Sequence, residues 1–485
     1  ETARAFRPHV VILDHRLLDD RRSDDQSGLE LIWKLKSAAI IYYSSYLSVP
    51  LTRTLTRNYG ITHWAEKDGS PQDLVNEVIV AAGEKSVTQN NFQIKYPAGW
   101  DNQTILDYIF KDLPVKSPDM VDDVLYQLFS PSRSQKMAYD TLYQSSPPPR
   151  QKLGLECLEN TNTSSYTSSQ DRSVIFKSYI DGSEKPIIVK LAPSIRITRE
   201  SENYWKYIQN KLGGLFYPVV EMKPVYFWEL GGIAYSFIGN DNQAEQKIST
   251  FSNYYRSKKT GKEIIQPLHH FFNTLWKGYY AENLTKIFNT SIFEAYEPFL
   301  NLSDQLEINT CQSPDLSCYG VMQDKLMNPI QWLHKNKDNC PIENVYKVVT
   351  HGNLSGDDLF VDGEHSWIID FDRCGEGPRL QDFISLEVDI LTRLTEFPSD
   401  DIKTIFDLFD YLTDFISAGK IQSYSPYPEK ILKSKSATKA VLTVLNIRKI
   451  AYNLTSFPYM SEYYWGLLVY LIHKILYLSD KSSQQ

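Results

Sequence analysis

The chain has 485 residues, of which 42% are hydrophobic, and its formal net charge at pH 7 is −8. This length exceeds one ordinary hydrophobic core, so two to four domains of globular composition are expected. The acidic balance argues against nucleic acid as a main partner, because binding a phosphate backbone needs a basic face.

The cysteines and the apolar segments indicate the compartment. The five cysteines show no C-x-x-C spacing, which predicts a reducing environment without disulfides. The N-terminal residues do not resemble a signal peptide. The most apolar segment, residues 463–478, includes His473 and Lys474 and is too short to span a bilayer. We therefore predict a cytoplasmic protein with no membrane span and with a buried helix near its C-terminus.

Residues 1–88 alternate between strand and helix signals. The strand-like runs are HVVILD, AAIIYYSSY and THWAEKD. The helix-like runs that follow them are SGLELIWKLK, VPLTRTLTRNYG and SPQDLVNEVIVAAGEK. Strands that alternate with helices predict a parallel α/β sheet.

Polar side chains stand at the ends of these three strands. Asp14 ends the first, Ser44 or Ser45 ends the second and Lys67 ends the third. Because the carboxyl ends of parallel strands meet at one edge of a sheet, we expect these side chains to converge. A carboxylate, a hydroxyl and an ammonium group can accept, sense and neutralise a phosphoryl group. This pattern resembles the receiver domain of bacterial response regulators, which has a flavodoxin-like α/β fold.

The resemblance covers residues 1–88 and implies a truncated receiver. It implies that Asp14 is the phosphoacceptor, Ser44 the switch hydroxyl and Lys67 the phosphate-binding lysine. It also implies a histidine kinase or another signalling protein as partner. Several features depart from the family. Its first strand, which carries an acidic pair for Mg²⁺, is absent. The loop after Asp14 is longer than usual and lacks the usual proline, and Asp68 follows Lys67 where proline is typical. The alternative is that Asp14 caps a turn and that the acidic loop after it is only solvated.

The next segment, residues 89–150, is predicted to be a connector. DNQTILDYIFKDL and MVDDVLYQLFS have the spacing of short amphipathic helices, and the proline-rich QSSPPPRQK stiffens the chain after them. From residue 151 the pattern predicts antiparallel strands, including a hairpin with Asp181 and Gly182 at its turn. We expect a β-rich lobe over residues 151–243 and a helical lobe over 244–485, an architecture suited to holding a nucleotide.

The helical lobe contains the stretch THGNLSGDDLFVDGEHSWIIDFD, residues 350–372. Phosphoryl transfer needs a carboxylate that deprotonates the acceptor and oxygen ligands that hold Mg²⁺ on the phosphates. H-G-N-L-x-x-x-D-L followed by I-I-D-F-D resembles the aminoglycoside phosphotransferase and choline kinase-like family. That family has an α+β, two-lobed protein-kinase-like fold, and the resemblance covers residues 151–485.

The resemblance implies a role for each residue of this stretch. Asn353 stands at the position of the catalytic base, and His351 braces the loop. Asp358 and Asp370 are the expected metal ligands, with Asp372 as the alternative to Asp370. Further along, Asp382 is expected to brace the catalytic loop.

The β-rich lobe supplies the implied nucleotide contacts. Lys190 matches the lysine that clamps the nucleotide, and a helix glutamate should pair with it. Glu200 and Glu202 point to different faces of their helix, so only one of them can pair, and we choose Glu202. The segment expected to meet the adenine runs through Tyr235, Phe237 and Ile238.

Two departures from the family predict weak catalysis. The loop NTNTSSYTSSQDR has no glycine, although glycine normally lets backbone N–H groups approach phosphates. More seriously, the amide of Asn353 cannot take a proton at neutral pH, and losing a general base typically costs ~10²–10⁴-fold in rate. Each residue also has a structural interpretation: His351 only ties the loop to a carbonyl, Lys190 is a strand-end surface lysine, and Asp357 and Asp358 form a turn.

The sequence therefore predicts a bacterial signalling protein. Its receiver-like domain precedes a phosphotransferase-fold module that binds ATP, or another nucleoside triphosphate, with Mg²⁺ and that is catalytically impaired. One alternative is an active kinase of a small molecule or a protein, with Asn353 tolerated or engineered. The other is an interaction scaffold that binds no nucleotide.

Overall fold

The structure is a computed structural model. It describes residues 2–18, 21, 25–35, 37–86, 92–111, 117, 119–129, 152–157, 172–180, 186–209, 211–212, 219–236, 248–258, 260–282, 285–300, 302, 329–337, 342–397, 402–413, 434–457 and 460–482. The chain divides into two compact units. The first is drawn from Glu1–Thr163, Thr167–Thr198 and Val220–Phe237, and the second from Ser164–Tyr166, Arg199–Val219 and Ile238–Gln485. The receiver-like residues, the connector and most of the β-rich lobe thus belong to one unit.

The first unit contains the predicted parallel sheet, which is confirmed. Its strands pair in the order β1-β2-β3, and they are β1 (Val10–Asp14), β2 (Ala39–Tyr43) and β3 (His63–Ala65). The helices around them are α1 (Thr2–Phe6), α2 (Ser27–Leu35), α3 (Val49–Thr54) and α4 (Pro71–Lys85). The hydroxyl of Ser70 accepts the Gln72 N–H at 3.2 Å and Pro71 opens the first turn, so α4 begins where its local sequence favours a helix start.

In the described part of the first unit, a second sheet has six strands in the order β4-β5-β6-β7-β9-β8. They are β4 (Gln93–Lys95), β5 (Lys152–Cys157), β6 (Val174–Ile180), β7 (Ile187–Pro193), β8 (Val220–Phe227) and β9 (Leu230–Ser236). The predicted hairpin is confirmed as the antiparallel pair β6–β7, although its turn residues Asp181 and Gly182 lie outside the described residues. The predicted connector helices are α5 (Asn102–Ile109) and α6 (Met120–Phe129).

One hydrophobic core joins the receiver-like residues to this six-stranded sheet. It includes Ala38 before β2, the apolar faces of α5 and α6, and Val189 and Leu191 on either side of Lys190. Polar contacts reinforce it, since His9 Nε2 lies 2.6 Å from the buried Asp123 carboxylate. Arg7 Nε likewise donates to Glu229 at 2.8 Å, and Trp228 Nε1 donates to the Pro8 carbonyl at 3.3 Å. Residues 1–88 are therefore packed as part of the lobe that carries Lys190.

His63 links β3 to α4 through two glutamates. Its Nδ1 lies 2.9 Å from Glu77 and its Nε2 lies 2.9 Å from Glu84, and the imidazole is buried. Only the protonated ring donates from both nitrogens. The hydrogen bonds to Glu84 and Glu77 raise the pKa of His63 above its ordinary value of 6.5, although burial opposes them.

We expect this contact to make the stability of the first unit depend on pH. Because the folded protein holds a proton that the unfolded chain releases, the contribution is complete below about pH 6.5 and is lost as the pH rises through the raised pKa. Urea unfolding at about pH 6 and about pH 9 measures the loss, and His63→Gln should reduce it. His334→Gln, at an exposed helix position, is the control. An equal pH dependence in wild type and His63→Gln would contradict this role.

Among the residues described in the second unit, two three-stranded sheets are formed. Their orders are β10-β13-β14 and β11-β12-β15. The strands are β10 (Ser249–Thr250), β11 (Thr285–Ser291), β12 (Ile342–Thr350), β13 (Leu359–Val361), β14 (Ser366–Ile368) and β15 (Gly375–Pro378). The loop between β12 and β13 carries most of the residues singled out in the sequence.

Helices pack around these sheets. They are α8 (Phe251–Ser257), α9 (Gly261–His270), α10 (Lys277–Glu282), α11 (Ile292–Leu300), α12 (Pro329–Asn336), α13 (Gln381–Asp389), α14 (Ile402–Thr413), α15 (Lys435–Thr455) and α16 (Met460–Ser482); α7 (Ser194–Asn203) contributes to both units. The predicted C-terminal helix is confirmed as buried, with Tyr463, Val469 and Ile472 withdrawn from solvent. Among the described helices, none combines the length and apolar character needed to cross a bilayer.

A buried ion pair connects α13 with α15, and a tyrosine of α16 binds the same carboxylate. Arg448 donates to both oxygens of Glu387, at 3.0 and 2.5 Å, and the Tyr463 hydroxyl donates to the same carboxylate at 2.7 Å. Both charged side chains are fully buried, where removing one partner typically costs about 3–5 kcal/mol.

Candidate functional site

The candidate site begins where β12 ends, at a turn that requires glycine. Gly352 has a φ of +87°, which non-glycine residues rarely adopt. A Cβ atom there would lie 2.1 Å from the Arg373 carbonyl oxygen. The chain before Asn353 is therefore packed directly against the segment that follows Asp372.

Asp382, on α13, binds the backbone of this turn. Its carboxylate accepts the N–H groups of His351 at 2.8 Å and Gly352 at 3.0 Å, and the Tyr280 hydroxyl donates to it at 2.8 Å. Burial raises the pKa of Asp382, and these hydrogen bonds oppose that shift because they favour the carboxylate. Asp382 thus makes the loop contacts expected of a brace.

His351 ties the loop to the neighbouring strand end. Its Nε2 donates to the Ile369 carbonyl at 2.9 Å, and the ring is buried. This contact fits the predicted bracing role, and it equally fits the structural interpretation of a histidine that binds a carbonyl. Asn353, by contrast, is exposed to solvent, where its amide offers hydrogen bonds but no basic group.

Asp358 and Asp370 are neighbours in this site. Ser355 donates to the Asp358 carboxylate from its backbone N–H and from its hydroxyl, both at 2.8 Å. The Asp358 carbonyl accepts the Ile369 N–H at 3.0 Å, which sets the loop beside the chain leading to Asp370. Burial raises the pKa of Asp358 to about 7, and the nearby Asp370 carboxylate adds to the shift. Two carboxylates held together in this way favour a bound cation.

The two possible ligands after β14 differ in their surroundings. Asp370 adopts a left-handed backbone conformation, with φ 68°, and interacts electrostatically with Asp358. The buried Asp372 carboxylate instead lies 3.8 Å from Arg199. The structure therefore favours Asp370 over Asp372 as a partner of Asp358.

The donor set fits Mg²⁺ bound together with a phosphorylated ligand. Carboxylate oxygens are the ligands that Mg²⁺ prefers, and it commonly takes one or two of them while phosphates and waters supply the rest. Within the part of the chain that the structure describes, no group of three or more histidine, cysteine or acidic side chains is arranged to hold a metal alone. Asp358 and Asp370 would supply the protein ligands.

The structure describes some of the nucleotide residues expected in the β-rich lobe. Lys190 lies in the middle of β7, paired with Ile175 and Ile233, and is only 2% exposed. It is therefore not the surface lysine of the structural interpretation. Tyr235 is buried in β9, whereas Phe237 and Ile238 lie outside the described residues.

The choice of Glu202 is not supported by its position on α7. Glu202 is exposed to solvent, whereas Glu200 is fully buried. The two side chains stand about 200° apart around the helix, so burying one exposes the other. Glu200 is thus the better candidate for a buried charge-pairing role.

The receiver-like residues meet at the carboxyl edge of the parallel sheet. Lys67 Nζ forms an ion pair with the Asp14 carboxylate. Ser44 is buried, its hydroxyl accepts the Tyr46 N–H at 3.0 Å, and its carbonyl accepts the Lys67 N–H at 3.4 Å. The structure brings Asp14 and Lys67 into contact and holds Ser44 beside the Lys67 backbone.

Sequence reasoning missed Arg393 and Asp389, which contact the same loop. Arg393 Nη1 donates to Asp357 at 2.7 Å, and Asp389 accepts the Gly356 N–H at 2.9 Å. The only signal available was the spacing of Asp389 and Arg393, four residues apart, which is typical of a helical ion pair. Nothing in that spacing connects the pair to residues 355–358.

Comparisons with known proteins find no matching family model and no matching curated protein. Solved structures do show similarity. A glucosamine kinase in complex with glucosamine, ADP and inorganic phosphate has a TM-score of 0.33 and 10% identity, over 72% of this chain and 79% of that one. Amicoumacin kinase hAmiN, in complex with AMP-PNP, Ca²⁺ and Ami, has a TM-score of 0.30 and 12% identity, over 71% of this chain and 93% of that one.

A third similar structure is an aminoglycoside phosphotransferase, APH(3'')-Id from Streptomyces rimosus. Its TM-score is 0.27 at 13% identity, covering 57% of this chain and 90% of that one. The structures found are thus aminoglycoside phosphotransferases and kinases. Because these TM-scores are low, the chemistry of this chain is inferred from its own residues and contacts.

Proposed function

We propose that this chain is a bacterial signalling protein that binds ATP, or another nucleoside triphosphate, with Mg²⁺ and is impaired in phosphoryl transfer. One observation carries the proposal. The Asp358 carboxylate, on a loop held by Asp382 and His351, interacts with Asp370. The resemblance to the phosphotransferases assigns Asn353 to the position of the catalytic base.

Each residue has a defined part in this function. A metal held by Asp358 and Asp370 would neutralise charge on the phosphates. Lys190 contributes to nucleotide binding. The segment through Tyr235, Phe237 and Ile238 contacts the adenine ring of the nucleotide. Asn353 can hold an acceptor hydroxyl by hydrogen bonds but cannot deprotonate it.

The receiver-like residues are part of the proposal. Asp14 would accept a phosphoryl group from a histidine kinase or another signalling protein, with Lys67 binding the phosphate and Ser44 sensing it. The ion pair between Asp14 and Lys67 supports this role, since a cation beside the acceptor neutralises the added charge. The alternative is a purely structural role, in which this ion pair only stabilises the edge of the sheet.

Thermal unfolding with and without Mg-ATP tests the nucleotide-binding function. Ligand at a hundredfold excess over Kd adds about 2.7 kcal/mol of stability, so we expect a clear rise in Tm for wild type. Lys190→Met should lose most of that rise, whereas Lys177→Met on the adjacent strand should keep it. If saturating Mg-ATP does not raise the Tm of wild type, the nucleotide-binding function is wrong and the interaction-scaffold alternative is favoured.

A further inference from the structure

Arg393, just after α13, is a buried cation whose role the proposed function does not explain. Its guanidinium binds Asp389 with two hydrogen bonds, from Nε at 2.6 Å and from Nη2 at 2.7 Å. Its remaining terminal nitrogen, Nη1, donates to Asp357 at 2.7 Å. A planar fork that engages two carboxylates at once is a geometry that arginine provides and lysine does not.

The same group of residues holds Gly356 from both sides. Asp389 accepts the Gly356 N–H at 2.9 Å, and the Ser252 N–H donates to the Gly356 carbonyl at 3.0 Å. Arg393 also donates to the Ser252 hydroxyl at 3.0 Å. A Cβ atom on residue 356 would lie 2.7 Å from that hydroxyl oxygen, so a larger residue would displace the Ser252 side chain. Both backbone polar groups of Gly356 are therefore fixed by residues that Arg393 binds.

These contacts determine which of the two neighbouring acids, Asp357 or Asp358, is available to bind a cation. Asp357 and Asp358 are consecutive, so their side chains leave the backbone in different directions. Arg393 neutralises Asp357, while Ser355 orients Asp358, whose carboxylate interacts with Asp370. Without Arg393, Asp357 and Asp389 would lose the cation they share, and Asp389 would no longer be held where it accepts the Gly356 N–H.

We propose that Arg393 is a positioning residue for the divalent metal site, which holds Asp358 toward Asp370 by binding Asp357 and Asp389. The proposal rests on the proposed function, since it assumes that a metal binds there with a nucleotide. Residues that orient metal ligands typically contribute about 10–100-fold to metal affinity. Arg393 touches neither the metal nor the nucleotide in this role and acts through the loop.

Titration with Mn²⁺ in the presence of AMP-PNP, with free Mn²⁺ followed by electron paramagnetic resonance, tests the proposal. We expect Arg393→Lys to weaken Mn²⁺ binding about 10–100-fold, and Asp357→Asn to weaken it in the same direction. Asp357 is partly exposed, so its variant should fold even if the arginine variant does not. The control is Arg448→Lys, which disturbs a different buried ion pair, with Glu387 on the same helix α13 as Asp389, and should leave Mn²⁺ affinity unchanged.

The outcomes separate this proposal from the function on which it rests. Wild-type Mn²⁺ affinity in a folded Arg393→Lys, or in Asp357→Asn if the arginine variant does not fold, would overturn the positioning role and leave the metal site intact. A similar loss in Arg448→Lys would also overturn it, because general loosening would then explain the effect. No Mn²⁺ binding by wild type with AMP-PNP would overturn both the proposal and the metal-binding function.

Discussion

Asn353→Asp is expected to increase ATP turnover about 10²–10⁴-fold, the usual contribution of a general base. The substitution places a carboxylate at the exposed end of a loop that Asp382 and His351 already hold. This range corresponds to about 3–5 kcal/mol in the activation free energy. Phosphate release from Mg-ATP, measured over time, gives the turnover of both proteins.

Two further variants give this comparison its meaning. Asn353→Ala should show no gain in turnover over wild type, because it introduces no base. Asn453→Asp makes the same chemical change at an exposed position on α15 and should have no effect. Equal turnover in wild type and Asn353→Asp would remove the claim that Asn353 impairs catalysis and would favour the active-kinase alternative.

Asp382→Ala is expected to cause a large loss of stability in the second unit. It would leave the His351 and Gly352 N–H groups and the Tyr280 hydroxyl without their acceptor in a buried site. Each unsatisfied buried donor costs about 1–3 kcal/mol, so we expect a total of about 3–5 kcal/mol after partial relaxation. Urea unfolding measures the difference in free energy.

The conservative variant separates the hydrogen bonds from the charge. Asp382→Asn keeps one acceptor oxygen and the side-chain volume, so it should lose less than the alanine variant. Asp107→Ala, at an exposed helix position, should change stability by less than about 0.5 kcal/mol. A loss below about 1 kcal/mol for Asp382→Ala would mean that water satisfies the loop donors and that Asp382 is no brace.

Local patterns were sufficient to predict much of the architecture. The apolar runs of β1 and β2 predicted parallel strands, although only β2 is largely buried. Strand ends in a parallel sheet share an edge, which is why Asp14 and Lys67 were expected to meet. The two strand-like runs on either side of the Asp181-Gly182 turn predicted the β6–β7 pair. These features depend on residues that are close together in the sequence, so they can be predicted from one sequence alone.

Features that depend on distant contacts could not be read from the sequence. The strand β4 is three residues long and mostly polar, and its parallel pairing with β5 spans a long connector. The core shared by residues 1–88 and the six-stranded sheet depends on which surfaces meet in three dimensions. The choice between Glu200 and Glu202 depended on which face of α7 is buried, and that face is set by tertiary packing.

The candidate site shows the same division. The spacing of His351, Asp358 and Asp370 was visible in one short stretch, so the loop and its chemistry could be proposed together. Arg393 was missed because it reaches Asp357 from 36 residues away. Contacts that orient a loop from another element leave no periodic pattern in the sequence.

A crystal structure with Mn²⁺ and AMP-PNP tests the central claim most directly. Anomalous scattering from Mn²⁺ locates the metal independently of the surrounding electron density. We expect one peak between the Asp358 and Asp370 carboxylates, with phosphate oxygens completing its coordination. AMP-PNP bound with no metal peak at these two aspartates, or with the metal on Asp372 alone, would contradict the account.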